Sequence, residues 1–116
     1  MNTKNQIKEI ENILSIVTSK LEEVLSENLV EVKLFGSFAR GDNKKYSDID
    51  LLVLLKTTPS KGSNDIFDNI ANEILIETGR VISFFIVEDA YFYRWQNSND
   101  LFRTMKREGR TLFERF

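Results

Sequence analysis

Apolar residues at Ile7, Ile10, Leu14, Val17, Leu21 and Val24-Leu25 keep one face of a 3.6-residue period apolar for five turns, which predicts an amphipathic helix from Asn5 to Leu25. The period then drops to two. Val30, Val32 and Leu34 alternate with Glu31 and Lys33, the pattern of a half-buried strand from Val30 to Phe35 that ends at Gly36. Ile49 to Leu55 is almost uniformly aliphatic, so both its faces are expected to be covered and the strand to lie centrally in a sheet. Lys56 to Gly62 holds the only proline and reads as an exposed loop. Ser63 then caps a helix with a buried stripe of Ile66, Phe67, Ile70, Ile74 and Leu75, and Gly79 stops it. Arg80 to Val87 is β-branched and aromatic, a third strand. Glu88-Asp89 suit the first turn of a helix reaching Trp95, Ser98 or Asn99 caps a last helix ending at Gly109, and Thr111 to Phe113 adds a short edge strand.

This order of helix, strand, turn, strand, helix, strand, helix describes one small α/β (α+β) domain over residues 1–116, with helices against a sheet. Composition sharpens that picture mainly by exclusion. No apolar run approaches the roughly 20 residues a membrane span needs, and Met1 to Lys8 is too polar for a secretory signal, so a soluble cytoplasmic chain is expected. There is no cysteine and no histidine, which removes thiolate nucleophiles, Ser-His triads, imidazole bases and Cys/His zinc sites. Any metal must then be a hard cation on carboxylates, Mg²⁺ or Mn²⁺. The net charge of −2 argues against nucleic-acid binding driven by counterion release, although it is unevenly spread. Residues 1–31 carry three lysines against six glutamates, and residues 91–116 six basic residues against three acidic ones. That basic end could face a phosphate or an acidic partner, but a solvated helix face explains it as well.

The chemistry concentrates in Phe35-Gly36-Ser37-Phe38-Ala39-Arg40-Gly41 and, after ten residues counted from Ser37, in Asp48-Ile49-Asp50. An Asp-x-Asp alone is poor evidence, since a chain with seven aspartates yields about 0.4 such pairs by chance. Context decides. Asp48 and Asp50 open a strand, where side chains two apart project from one face, so their carboxylates repel unless a divalent cation joins them. A solvated strand start is the plain structural explanation. The Gly36-Ser37 turn into a short helix leaves backbone N–H groups free for a phosphate, and Ser37 adds a hydroxyl. Arg40, Lys44 and Lys45 are near enough in sequence to neutralise triphosphate charge, or are ordinary loop cations. The aromatic run Tyr91, Phe92, Tyr93 and Trp95 could stack on a base, but such spacing more often signals core.

The Gly-Ser, ten residues, Asp-x-Asp pattern, with Ala-Arg-Gly after Ser37 and Ser47 before Asp48, resembles the DNA polymerase β-type nucleotidyltransferase superfamily. Within it, the chain looks most like the minimal bacterial and archaeal nucleotidyltransferases. The resemblance implies a palm-like mixed sheet with helices mainly on one face, and Mg²⁺-dependent transfer of a nucleoside monophosphate, AMP from ATP first, to a protein or small-molecule acceptor. It implies metal ligation by Asp48 and Asp50, nucleotide binding by Gly36, Ser37, Arg40, Lys44, Lys45 and Ser47, and in-line displacement assisted by two metals. In a number of relatives an all-helical HEPN protein is partner and acceptor in a toxin–antitoxin pair. Self-association is neither required nor excluded.

One departure stands out. Superfamily members usually carry a third carboxylate on the later strand, and Val81 to Val87 contains no acid. By register the expected position falls at or near Ser83, which could contact a metal-bound water but cannot neutralise charge. Glu88, at the strand exit, is the candidate substitute, or simply a first-turn helix acid. A weak nucleotide-binding and partner-binding module is therefore the alternative to an active transferase. A glycosyltransferase using Asp-x-Asp is a remote third reading at this length.

Overall fold

The computed structural model describes residues 3–58 and 65–115. Helix α1 (Thr3–Leu25) leads through a 3₁₀ turn (Ser26–Asn28) into strand β1 (Leu29–Phe35), and a one-turn helix α2 (Ser37–Arg40) follows. Next come β2 (Ile49–Leu55), α3 (Asp65–Thr78), β3 (Ile82–Glu88), the short helices α4 (Asp89–Trp95) and α5 (Asp100–Glu108), and β4 (Arg110–Glu114). The expected cap at Ser63 and the proline of the Lys56 to Gly62 loop lie outside the described residues. Among the described residues no helix is long and apolar enough to cross a membrane.

The strands form a mixed four-stranded sheet in the order β3-β2-β1-β4, with β2 and β4 antiparallel to β1 and β3 parallel to β2. β2 is thus an inner strand, as its aliphatic run predicts. Ile49, Leu51, Val53 and Leu55 pack with Ile10, Ile13, Leu14, Val17 and Leu21 of α1 and with Phe67, Ile70 and Ile74 of α3. The alternate residues Leu52 and Leu54 face the other way, onto Phe92 of α4 and Phe102 and Met105 of α5. The two long helices share one face, and the second face is covered by two short ones. Truncating a fully buried leucine such as Leu52 to alanine would cost about 2–5 kcal/mol.

Three details depart from the sequence expectation, each for a local reason. Ile7, Val24 and Leu75 are exposed, because the α1 stripe runs through Ile13 rather than to the helix ends and α3 is buried only at Phe67, Ile70 and Ile74. A bulge between Leu29 and Glu31 turns Val30 to the α4–α5 face while Val32 and Leu34 stay on the α1 face, so the simple alternation of β1 breaks. Glu31, which alternation places on the same face as Phe35, is buried at 5% exposure because α4 and α5 cover that face. Of the α4 aromatics only Phe92 is core; Tyr91, Tyr93 and Trp95 are exposed, because seven residues of helix offer the sheet a single inward position.

Candidate active site at the mouth of β2

Antiparallel pairing of β1 with β2 sets Phe35 opposite Asp50, so Gly36, just past the end of β1, lies against Asp50, the second residue of β2. Gly36 adopts φ 75° and ψ −157°, a conformation open in practice only to glycine. A Cβ there would overlap Asp50 Oδ2 and sit 3.1 Å from its Cγ. The glycine is needed twice, for its own backbone and for its neighbour's carboxylate. The chain then winds one turn of helix: Ala39 and Arg40 N–H donate to the Gly36 carbonyl at 3.1 Å each, while Gly41 and Asp42 N–H donate to the Ser37 carbonyl. Ser37 and Phe38, at the start of that turn, have no carbonyl one turn back to receive their N–H groups.

The return to β2 is held by a small network. Lys44 N–H donates to Ser47 Oγ at 2.7 Å, and Ser47 N–H donates to the Lys44 carbonyl at 3.1 Å. Ser47 therefore shapes the turn that delivers Asp48. Arg80 braces the same turn from outside, its Nη1 donating to the Lys45 carbonyl at 3.1 Å and its Nε to Glu9 of α1 at 3.2 Å. Ile49 N–H donates to the Val81 carbonyl at 2.8 Å and fastens the start of β2 beside β3.

Asp50 shares the α4–α5 face with Leu52 and Leu54 by strand alternation, and Asp48 follows it one period earlier. Asp50 is half-buried and Asp48 exposed. Burial, with Asp48 close by, pushes the Asp50 carboxyl above the ordinary carboxylate range, and Arg40 pulls it part of the way back. On β3, Ser83 is the register partner of Asp50, and its hydroxyl donates to Asp48 Oδ2 at 3.3 Å. A serine hydroxyl thus stands beside both aspartates. Among the described residues no group of three or more acids is arranged to hold a metal; the oxygen donors here are two carboxylates and one hydroxyl.

The structure brings together Gly36, Ser37, Arg40, Asp48, Asp50 and Ser83, and leaves other candidates aside. Lys44 is exposed, and the Lys45 ammonium lies 5.4 Å from the centre of the Tyr46 ring. Glu88 is not a substitute for the missing acid. β3 runs parallel to β2, so Glu88 pairs with Leu55 at the far end, five residues and about 17 Å from Ser83 at strand rise. There it accepts from the Thr58 hydroxyl at 3.1 Å. Two participants were not visible in the sequence: Arg80, and Glu108, whose carboxylate accepts from Arg40 Nη1 at 3.2 Å. Nothing in a linear reading links positions 68 residues apart. A separate cavity of about 450 Å³, walled by Ile10, Leu34, Phe38 and Arg110, opens on the α1 side, and neither aspartate lines it.

A family model for the nucleotidyltransferase domain matches residues 6–105. A candidate protein adenylyltransferase of Methanocaldococcus jannaschii is 35% identical over 83 residues, covering 70% of this chain and 56% of its own. The chain thus spans little more than half the length of that relative. A second candidate protein adenylyltransferase of the same organism is 32% identical over 117 residues, 97% of this chain and 100% of its own. Among solved structures, a toxin–antitoxin with AMP-PNP superposes with a TM-score of 0.62 at 17% identity, covering 88% of this chain and 73% of that one. A tri-AMPylated Shewanella oneidensis HEPN toxin in complex with MNT antitoxin gives 0.58 at 17% identity, with 90% and 72% covered. At such identities the structural likeness is one of fold.

Proposed function

Since the chain belongs to the nucleotidyltransferase domain family, we propose that it transfers a nucleoside monophosphate from a triphosphate, AMP from ATP, to an acceptor, and that the acceptor is a HEPN-type helical protein whose toxicity it restrains. The observation that carries this reading is the β1–β2 register, with Asp50 against Gly36 and Asp48 on the same face of β2. The relatives named as protein adenylyltransferases support the reaction class, and the toxin–antitoxin complexes support the partner class.

The donor set suits a hard divalent cation, Mg²⁺ or Mn²⁺: two carboxylates and a hydroxyl converge, and the burial and, after it, the Asp48 repulsion that raise the Asp50 carboxyl are what a cation would offset. Asp48 and Asp50 would hold it, and when bound it supplies Lewis-acid stabilisation of charge on the transferring phosphoryl group. The chain's own residues do the rest. Gly36 lets phosphate oxygens approach the backbone, the N–H groups of Ser37 and Phe38 and the Ser37 hydroxyl donate to them, and Arg40 opposes their charge. Lys44 and Lys45 on the approach turn attract the triphosphate from solvent.

The test is incubation with α-labelled ATP, Mg²⁺ and a HEPN-type helical protein of the kind held in the matching toxin–antitoxin complexes. Label is expected on the partner from the native chain and not from Asp48→Asn; no transfer by the native chain, or equal transfer by the variant, sinks the proposal. One observation favours a second reading, a nucleotide-binding module that restrains its partner without turnover: Ser83 occupies the register position beside Asp50 where relatives of this type are expected to carry an acid. Tight partner binding that survives loss of both aspartates, with no label transfer, would select it.

A further inference from the structure

Arg40 rises from the turn that packs against Asp50, and its guanidinium is held at two points. Its Nε donates to Asp42 Oδ2 at 3.1 Å and its Nη1 to Glu108 Oε2 at 3.2 Å. The two acceptors differ in kind. Asp42 sits on the loop after α2 with its side chain 60% exposed; the Glu108 side chain is 23% exposed and closes α5. That helix is fixed along its length: Asn99 caps its start through Phe102 N–H at 3.0 Å, Phe102 and Met105 are buried, and Gly109 N–H donates to the Met105 carbonyl at 2.8 Å. Glu108 is therefore an acceptor carried on a packed helix, whereas Asp42 belongs to an exposed loop.

An ion pair this exposed contributes little to folding. Its effect lies instead in where it leaves the guanidinium. Arginine has five N–H donors in a rigid fork at the end of a long, flexible side chain. Two single contacts, one through Nε and one through Nη1, use two of those donors and leave the remaining edge to meet phosphate oxygens without breaking either contact. Arg40 N–H donates to the Gly36 carbonyl at 3.1 Å and Gly36 packs against the Asp50 carboxylate, so the held arginine rises from the same turn that walls the acid.

We infer that Glu108 is a positioning residue for the triphosphate: from the end of α5 it holds the Arg40 guanidinium beside the Asp48–Asp50 pair, so that the site is completed by a helix remote in sequence. This rests on the nucleotidyl-transfer reading, and the experiment separates the two. Mg²⁺–ATP is titrated calorimetrically into the full chain and into Glu108→Ala, Glu108→Gln, Arg40→Ala and the Arg40→Ala/Glu108→Ala double variant, with thermal unfolding run on each. Glu108→Ala is expected to weaken binding about 5- to 10-fold at unchanged melting temperature, the loss of one charge-assisted contact. Glu108→Gln, which keeps an oxygen acceptor, is expected to recover most of that. In the Arg40→Ala background, loss of Glu108 is expected to add nothing. Unchanged or tighter binding by Glu108→Ala overturns the inference, as does an equal further loss without Arg40. A native chain that binds no Mg²⁺–ATP overturns the nucleotidyl-transfer reading and this inference with it.

Discussion

The second face of the sheet carries two pairs of carboxylates, one near each end, and they behave differently. At the mouth of β2, Asp48 and Asp50 stand along one strand; toward the other end, Glu31 of β1 is the register partner of Glu114 of β4. In both pairs burial is the first cause that pushes one carboxyl above its ordinary range, and the neighbouring acid adds to it. The compensation differs. Glu31, closed over to 5% exposure, has Lys33 two residues along its strand and accepts from the Tyr93 hydroxyl of α4, so its strain is met within the chain. Asp50 has only Arg40, which Asp42 and Glu108 already share. A buried acid beside another acid is thus no mark of a site by itself. The mark is repulsion left unmet at a place open to solvent and next to free backbone donors.

The comparison breaks most sharply if activity follows the wrong pair. Asp50→Asn is expected to lower label transfer by about 100-fold or more, whereas Glu31→Gln leaves it within about 2-fold; radiolabel transfer by the two variants side by side decides. A smaller effect is expected from Ser83→Asp, which adds a third carboxylate beside Asp50. Without metal it should unfold at lower temperature than the native chain, and saturating Mg²⁺ should raise its melting temperature by more than it raises the native one, a difference of about 2–5 °C. Equal shifts in both would mean that a carboxylate at position 83 does not join the ion's ligands.

The smallest effect concerns pH. Because the folded Glu31 carboxyl lies above its unfolded value, the fold binds its proton more tightly, and Glu31's favourable contribution is complete below the unfolded pKa and lost as pH rises through the folded one. Urea midpoints measured from pH 4 to 7 should therefore fall less steeply with rising pH in Glu31→Gln than in the native chain. Parallel profiles would show that Lys33 and Tyr93 cancel the burial of Glu31 in full.

Much of this geometry is legible in the residues. The aliphatic run of β2 announces an inner strand, and period-two alternation sets Asp48 and Asp50 on one face without any structure. The turn at Gly36, the existence of the third strand and the edge strand near Thr111 follow from equally local signals, while the place of that third strand facing the acids comes from the family resemblance. What stays hidden depends on direction or distance. The sequence does not say that β3 runs parallel to β2, and that alone removes Glu88 from the acids. The bulge that turns Val30 leaves no signature in Leu29-Val30-Glu31, and the exposure of Tyr91, Tyr93 and Trp95 depends on how little of α4 meets the sheet. Arg80 and Glu108 act across long stretches of chain, where no spacing rule reaches.

The contact between Gly36 and Asp50 also makes the two positions a linked diagnostic. A side chain at position 36 would need the very volume that the Asp50 carboxylate fills, so the backbone turn and the acid stand or fall together. When a newly sequenced chain of this fold has exchanged the glycine, its acid can no longer sit as Asp50 does here, whatever letter remains at that place. Losing a residue with no functional group is then as clear a sign of abandoned chemistry as losing the carboxylate itself.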